Sequence, residues 1–204
     1  MFTFSVMDAI KLLTQDHRTV ERLFKTYERA GERADKQKQK VVDQVIRELS
    51  IHASIEEQLL YPAARKLSEK VDAQVLEALE EHHVAKATLA ELEKMSPKDE
   101  RFDAKMTVLM ENVRHHVKEE EEELFPELRK RMDRGALAAL GEAMERARTL
   151  APTHPHPMAP DTPPGNVVSD VLAKILDTGK DVLRGTARSA RRAVTARLSP
   201  RGSR

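Results

Sequence analysis

Apolar positions recur at intervals of three and four through the first 150 residues, the spacing of helices that pack along a shared seam. Ile10, Leu13, His17, Val20, Phe24 and Tyr27 form one line, which ends before Gly31. Val42, Val45, Leu49, His52, Glu56, Leu59 and Ala63 form a second. Val75, Ala78, His82, Ala85, Leu89 and Leu92 form a third, which stops at Ser96-Pro97, where Ser is suited to cap the next helix and Pro to take its first position. Met106, Leu109, Val113, His116 and Glu120 form the fourth. Each predicted helix therefore carries one histidine on its buried side, and the second and fourth add a glutamate one turn later on the same face.

The pattern is also a repeat. A displacement of 65 carries the first line onto the third, and one of 64 carries Val42, Val45, Leu49, His52 and Glu56 onto the fourth. The phrase His52-x-x-x-Glu56 running into Leu60-Tyr61-Pro62 returns as His116-x-x-x-Glu120 running into Leu124-Phe125-Pro126. Two helical hairpins related by a pseudo-two-fold predict an all-α, up-down-up-down four-helix bundle. The histidines of each hairpin lie at comparable distances from its turn, near residue 33 and near residue 97, so antiparallel packing brings all four to one level. A short connection such as Gly31 to Asp35 suits adjacent antiparallel helices. From Gly135 to Leu150, Leu137, Leu140 and Met144 predict a short fifth helix that closes the bundle.

Composition agrees with helices: charged residues reach 34 %, aromatics 3 %, and glycine is scarce. The absence of cysteine excludes disulfides, thiolate ligands and cysteine nucleophiles, so a metal would have to be held by histidine and carboxylate. Phe2 to Met7 is too short for a signal sequence and lacks a basic flank, and no transmembrane run follows, which leads to the expectation of a soluble, cytoplasmic protein. The net charge of +1 conceals an imbalance: residues 1–150 carry −4, residues 167–204 carry +6, and Asp161 supplies the rest. Between them, residues 151–166 hold six of the ten prolines and read as an extended linker. The expected organisation is a bundle at 1–150, a linker at 151–166 and a basic amphipathic helical tail at 167–204. That tail carries Val168, Val171, Leu172 and Ile175 with Arg184, Arg188, Arg191 and Arg192, suited to dock on the bundle, touch a membrane surface or meet a protein partner. Without aromatics it argues against nucleic acid.

A lone histidine on an apolar seam is usually a hydrogen-bonded core residue. Four at one level with two glutamates are different, because buried carboxylates are costly unless paired or bound to metal. Imidazole with carboxylate suits iron, zinc or manganese; the competing arrangement is a hydrogen-bonded His-Glu core without metal. His83 and His115 fall off the seam by about 100° of helix rotation, which assigns them solvated or outer roles. Only one copy of a ferritin-like Glu-x-x-His is present, Glu80-x-x-His83. His154 and His156 lie between prolines and make weak ligands. Apart from Glu120, the run Glu119 to Glu123 reads as a solvated helix face. No phosphate loop, Ser-His-Asp set or His-Glu-x-x-His is present.

Asp16-His17, His52-Ala-Ser-Ile-Glu56-Glu57, Glu81-His82 and His116-Val-Lys-Glu-Glu120-Glu121, with Tyr61-Pro62 and Phe125-Pro126, resemble the hemerythrin-like HHE cation-binding domain over about residues 7 to 133. The resemblance implies a bundle with a non-haem di-iron centre, two Fe ions and a bridging oxygen, held by His17, His52, Glu56, His82, His116 and Glu120, with the glutamates as bridges. Zn or Mn would fit the same donors. Oxygen-carrying hemerythrins place a further histidine one turn after the third-helix ligand; here that position is Lys86. At about six positions per metal, four histidines, two bridging carboxylates and a bridging oxygen leave about two positions open. Glu57 or Glu121 could swing in to close one. The implied function is binding of, or reaction with, oxygen, nitric oxide or peroxide, with peroxide consumption as the enzymatic form. The alternative is a metal- or gas-dependent sensor or interaction module whose basic tail contacts a membrane or partner.

Overall fold

The computed structural model describes residues 7–31 and 34–158. Side-chain caps set three of the helix starts. Asp8 accepts from the Lys11 N–H at the head of α1 (Ala9–Glu28), Ser68 from Val71 at the head of α4 (Glu69–Leu92), and Asp133 from Ala136 at the head of α7 (Arg134–Arg148). Between them lie α2 (Asp35–Ile55), a π-helical turn (Glu56–Leu60), α3 (Tyr61–Ala64), α5 (Phe102–Glu119), a second π-helical turn (Glu120–Leu124) and α6 (Phe125–Arg131). The architecture is the all-α bundle that the seams predict. α1 packs on α2, α4 packs on α5, and α7, the expected fifth helix, lies against α1, α2 and the first π turn.

Two local features depart from the sequence reading. Ser96 does not cap the fourth long helix, which begins at Phe102. The Asp99 carboxylate captures the Ser96 N–H at 2.8 Å, and the Asp99 N–H donates to the Ser96 carbonyl at 2.9 Å, so the chain makes a closed turn first. Phe102, fully buried, then fixes where the helix enters the core. The second departure is that α2 and α5 each end in a π turn, which interrupts the α-helical spacing of the seams. Pro62 and Pro126 lack an N–H, and their rings crowd the carbonyl four residues back. The preceding turn widens, so that Tyr61 N–H reaches Glu56 O and Phe125 N–H reaches Glu120 O, five residues back. Both wide turns begin on a seam glutamate.

The core is split in two. One apolar cluster holds Leu13, Ile55, Leu60, Tyr61, Val71, Phe125, Leu128 and the α7 side chains Leu137, Leu140 and Met144. The other holds Val20, Phe24, Val45, Leu89, Leu92, Phe102, Met106 and Leu109. The histidine level lies between them. At the far end of the second cluster, Asp103 accepts from Tyr27 at 2.5 Å and from Lys38 at 2.6 Å, joining α1, α2 and α5.

α7 approaches the chain start at Gly141, where a Cβ would stand 2.2 Å from Met7 O and 2.7 Å from Ala9 N, so only glycine fits without a shift. Beyond α7 the first residues of the proline-rich stretch stay on the bundle: Pro155 is buried and His154 contacts Glu93. The rest of that stretch and the basic tail at 167–204 lie outside the described residues. Among the described residues no helix is long and apolar enough to cross a membrane.

Candidate metal centre

Four imidazoles turn their Nε2 atoms toward two carboxylates. Nε2 of His52 and of His82 lie 3.2 and 3.4 Å from Glu56 Oε2. Nε2 of His17 and of His116 lie 3.2 and 3.6 Å from Glu120 Oε2. Each glutamate thus stands between the histidine on its own helix and one from the opposite hairpin. The rings pair within hairpins, His17 with His52 at 4.9 Å between centroids and His82 with His116 at 4.7 Å. All six side chains are buried, Glu56 completely.

These atoms lack ordinary partners. His17 Nε2, both ring nitrogens of His52, both oxygens of Glu56 and Glu120 Oε2 have no hydrogen-bond partner among the described residues. An unsatisfied buried polar group costs roughly 1–3 kcal/mol, and native proteins hold few of them. Here they converge on one spot, with His17, His52, Glu56 and Glu120 offering donor atoms within 4.8 Å of one another and Glu56, His82 and His116 doing the same. Two overlapping donor sets that share a carboxylate fit a pair of divalent cations, and their nitrogen and oxygen donors suit iron, zinc or manganese.

The charges are unequal. Burial and the negative Glu120 push the Glu56 carboxyl well above its usual range. Burial acts on Glu120 in the same direction, but the surrounding His116, His17 and His52 outweigh it and hold that carboxyl well below its usual range. Burial pulls His52 down to about 4, leaving its ring neutral near pH 7. For His17 and His116 burial acts likewise, yet their nearby carboxylates, Glu120 foremost, raise them. The cluster therefore holds protons that an entering cation must displace.

A second ring of carboxylates sits outside the imidazoles. Nδ1 of His17 is 2.8 Å from Glu121, that of His82 3.0 Å from Glu57, and that of His116 2.7 Å from Glu81. His52 Nδ1 stands 3.5 Å from Asp16, a looser contact. A carboxylate at Nδ1 holds the ring proton there and turns the Nε2 electron pair inward, as a metal ligand requires. Glu57 and Glu121 accordingly stand behind the rings, at Nδ1 of His82 and of His17. Lys86, at the place of the further histidine, is buried and bonds Glu57 at 3.0 Å. Arg148 of α7 pairs with Asp16 in the same way.

The pseudo-symmetry fails at one inner position. Tyr61 O–H donates to Glu120 Oε1 at 3.0 Å and lies 3.3 Å from His82 Nε2, whereas its counterpart Phe125 stacks flat on His17 with centroids 5.8 Å apart. Burial and the carboxylates Glu120 and Glu56 raise Tyr61 well above the usual phenol range, which keeps its proton in place. On the side of the second core cluster, a cavity of about 40 Å³ touches all four imidazoles and is otherwise walled mainly by apolar side chains, among them Val20, Leu49, Leu89 and Val113.

A family model for the hemerythrin HHE cation-binding domain matches residues 8–128, a span that takes in all six seam residues. The chain belongs to the hemerythrin HHE cation-binding family. A hemerythrin-like protein of Schizosaccharomyces pombe is 30 % identical over 142 residues, covering 69 % of this chain and 70 % of that one. A DNA nickase of Nostoc is 31 % identical over 126 residues, or 61 % of this chain, which spans only 34 % of that protein. In shape, the bundle resembles the crystal structure of a hemerythrin HHE cation-binding domain-containing protein from Mycobacterium kansasii, with a TM-score of 0.61 and 21 % identity over 71 % of this chain and 86 % of that one. As a member of this family the protein is a cation-binding helical domain, and its His-Glu clusters are placed to hold the cations.

The six predicted seam residues come together. His83 is exposed, and His115, mostly exposed, meets Glu119 at 3.3 Å. Sequence reasoning gave no role to Asp16, Glu81, Arg148 or the Tyr61 hydroxyl. Asp16 and Glu81 each precede a seam histidine, and that shared position in both halves was the available signal.

Proposed function

We propose that His17, His52, Glu56, His82, His116 and Glu120 hold two non-haem iron ions, with Glu56 and Glu120 bridging them, and that the centre binds or reacts with oxygen, nitric oxide or peroxide. The observation that carries this reading is the convergence of orphaned nitrogen and oxygen atoms beneath a small cavity. Iron bound there supplies Lewis acidity and reversible electron transfer. The protein supplies the rest. Glu121, Glu57 and Glu81 hold the Nδ1 protons of His17, His82 and His116 and make those imidazoles stronger donors, while Asp16 stands more loosely behind His52. Tyr61 keeps a proton beside Glu120 Oε1. The cavity has room for a diatomic molecule or peroxide, given that about 10–15 Å³ holds a water-sized body. Its largely apolar wall limits competing water. With Lys86 tied to Glu57, no fifth imidazole closes the centre, which favours reaction over simple oxygen storage.

Metal analysis and optical spectroscopy of protein purified under iron-replete conditions test the centre. About two irons per chain with oxo-bridge absorption are expected, together with rapid loss of added peroxide that His116→Ala abolishes. Folded protein that takes up no metal would falsify the proposal. Bound iron without peroxide loss would restrict the function to gas binding.

A further inference from the structure

The two hairpins differ most just outside the histidine level. In the first hairpin Ala9, Leu12, Ile55 and Leu59 are buried under α7. The repeat carries these positions onto Gln74, Glu77, Glu119 and Glu123 of the second hairpin, where no helix among the described residues covers them and a groove of about 50 Å³ opens between α4 and α5. Glu77 and Glu123 are exposed at its mouth, with Gln74 donating to Glu123 at 3.2 Å. At its inner end the groove reaches His116 and Glu120. Glu120 is only 2 % exposed, and its Oε2 has no hydrogen-bond partner among the described residues. Beside the groove, Glu81, His115 and Glu119 bring a second set of donor atoms within 4.8 Å of one another, partly exposed to solvent.

We infer that the groove between α4 and α5 is the loading route for divalent cations, with Glu77, Glu119 and Glu123 gathering the ion and the Glu81–His115–Glu119 trio as its first resting point before Glu120. The inference rests on the metal centre proposed above. Its size admits an ion with a few of its waters, at roughly 10–15 Å³ for each water-sized body. Carboxylates lining a cleft concentrate cations and speed their capture, by about 10- to 1,000-fold in steered association. Glu81 stands 2.7 Å from His116 Nδ1 and 3.8 Å from His115 Nε2, so the outer trio meets the inner cluster through Glu81. Among the described residues the matching face of the first hairpin is closed, since Leu12, Ile55 and Leu59 fill it. Inner sites alike with outer surfaces unlike is the arrangement expected when one side serves for closure and the other for access.

The test is the rate at which the metal-free full chain takes up Co²⁺, followed by the visible absorption of the bound ion, with final stoichiometry read separately. Glu77→Gln with Glu119→Gln and Glu123→Gln should slow uptake about tenfold at low salt, with a smaller effect at high salt, and leave the final stoichiometry unchanged. Glu122→Gln removes a charge from the same run but lines the groove between α1 and α5, and should leave the rate unaltered. Carrying the sealed half across, Glu77→Leu with Glu123→Leu should slow uptake as well, with helix content checked by circular dichroism. Unaltered rates in both multiple variants would overturn the route while leaving the centre intact. An equal slowing by Glu122→Gln would reduce the effect to net charge and overturn it too. No uptake by the parent chain would overturn the centre, and the route with it.

Discussion

The α1–α2 hairpin and the α4–α5 hairpin present the same inner residues and different outer ones. Inside, His17 and His52 answer to His82 and His116, Glu56 to Glu120, and the outer carboxylates Asp16 and Glu57 to Glu81 and Glu121. Outside, the first hairpin is covered by α7, whose Arg148 pairs with Asp16. Among the described residues no helix covers the second, and Glu81 meets the mostly exposed His115 instead. Tyr61 and Phe125 carry the difference to the centre, placing a hydroxyl beside His82 and a phenyl face on His17. Among the described residues the duplicated bundle thus keeps its inner His-Glu geometry in both copies, while α7 closes only the first.

The largest effects should come from residues that belong to both halves. Glu56→Ala and Glu120→Ala each remove a carboxylate shared between histidines of opposite hairpins, and each should lower metal content from about two ions per chain to below one. His83→Ala, off the seam, should leave content unchanged; metal analysis that finds equal losses would end the register argument. The covering helix comes next. Leu140→Ala empties a fully buried position of α7 itself and should cost about 2–5 kcal/mol in denaturant titrations of the metal-free chain. Glu123→Ala, exposed on the uncovered half, should stay within about 0.5 kcal/mol of the parent.

Loss of an outer carboxylate should weaken metal binding in either half but destabilise the metal-free chain in only one. Asp16→Asn and Glu81→Gln should each reduce metal affinity by about 10- to 100-fold in competition with a chelator. Asp16→Asn should also lower metal-free stability, because Arg148 loses its charged partner. The smallest effect concerns pH. His52 is held near 4 by burial against an ordinary value of 6.5, so the unfolded chain takes up a proton that the folded chain refuses. Its contribution makes metal-free stability fall as pH drops from 6.5 toward 4. His17 is raised, so the stability it adds is complete below 6.5 and lost as pH rises through its folded value. In unfolding midpoints measured against pH, His52→Gln should flatten the acid limb and His17→Gln the neutral limb. The reverse pattern would contradict the assigned environments.

Much of this was legible in spacing. Residues three and four apart share a helix face whatever the packing, so the seams, the repeat and the level of His17, His52, His82 and His116 follow from position alone. The outer carboxylates do not. Asp16 and Glu81 stand about 100° around the helix from their neighbouring histidines, and each reaches a histidine of the adjacent helix, which only the packed pair reveals. Arg148 meets a residue 132 positions earlier, beyond any local pattern. A proline inside a helix distorts it, but that Pro62 and Pro126 widen the preceding turn rather than break it shows only in the folded backbone. Ser96 has the residue type of a cap but does not act as one, because Asp99, three residues on, takes its backbone N–H.

The most direct measurement is anomalous diffraction from crystals soaked with iron or cobalt. Two peaks are expected, one nearest Nε2 of His17 and His52 and one nearest Nε2 of His82 and His116, with Glu56 and Glu120 between them. Density only at the partly exposed Glu81, His115 and Glu119, or none within the bundle, would contradict the account.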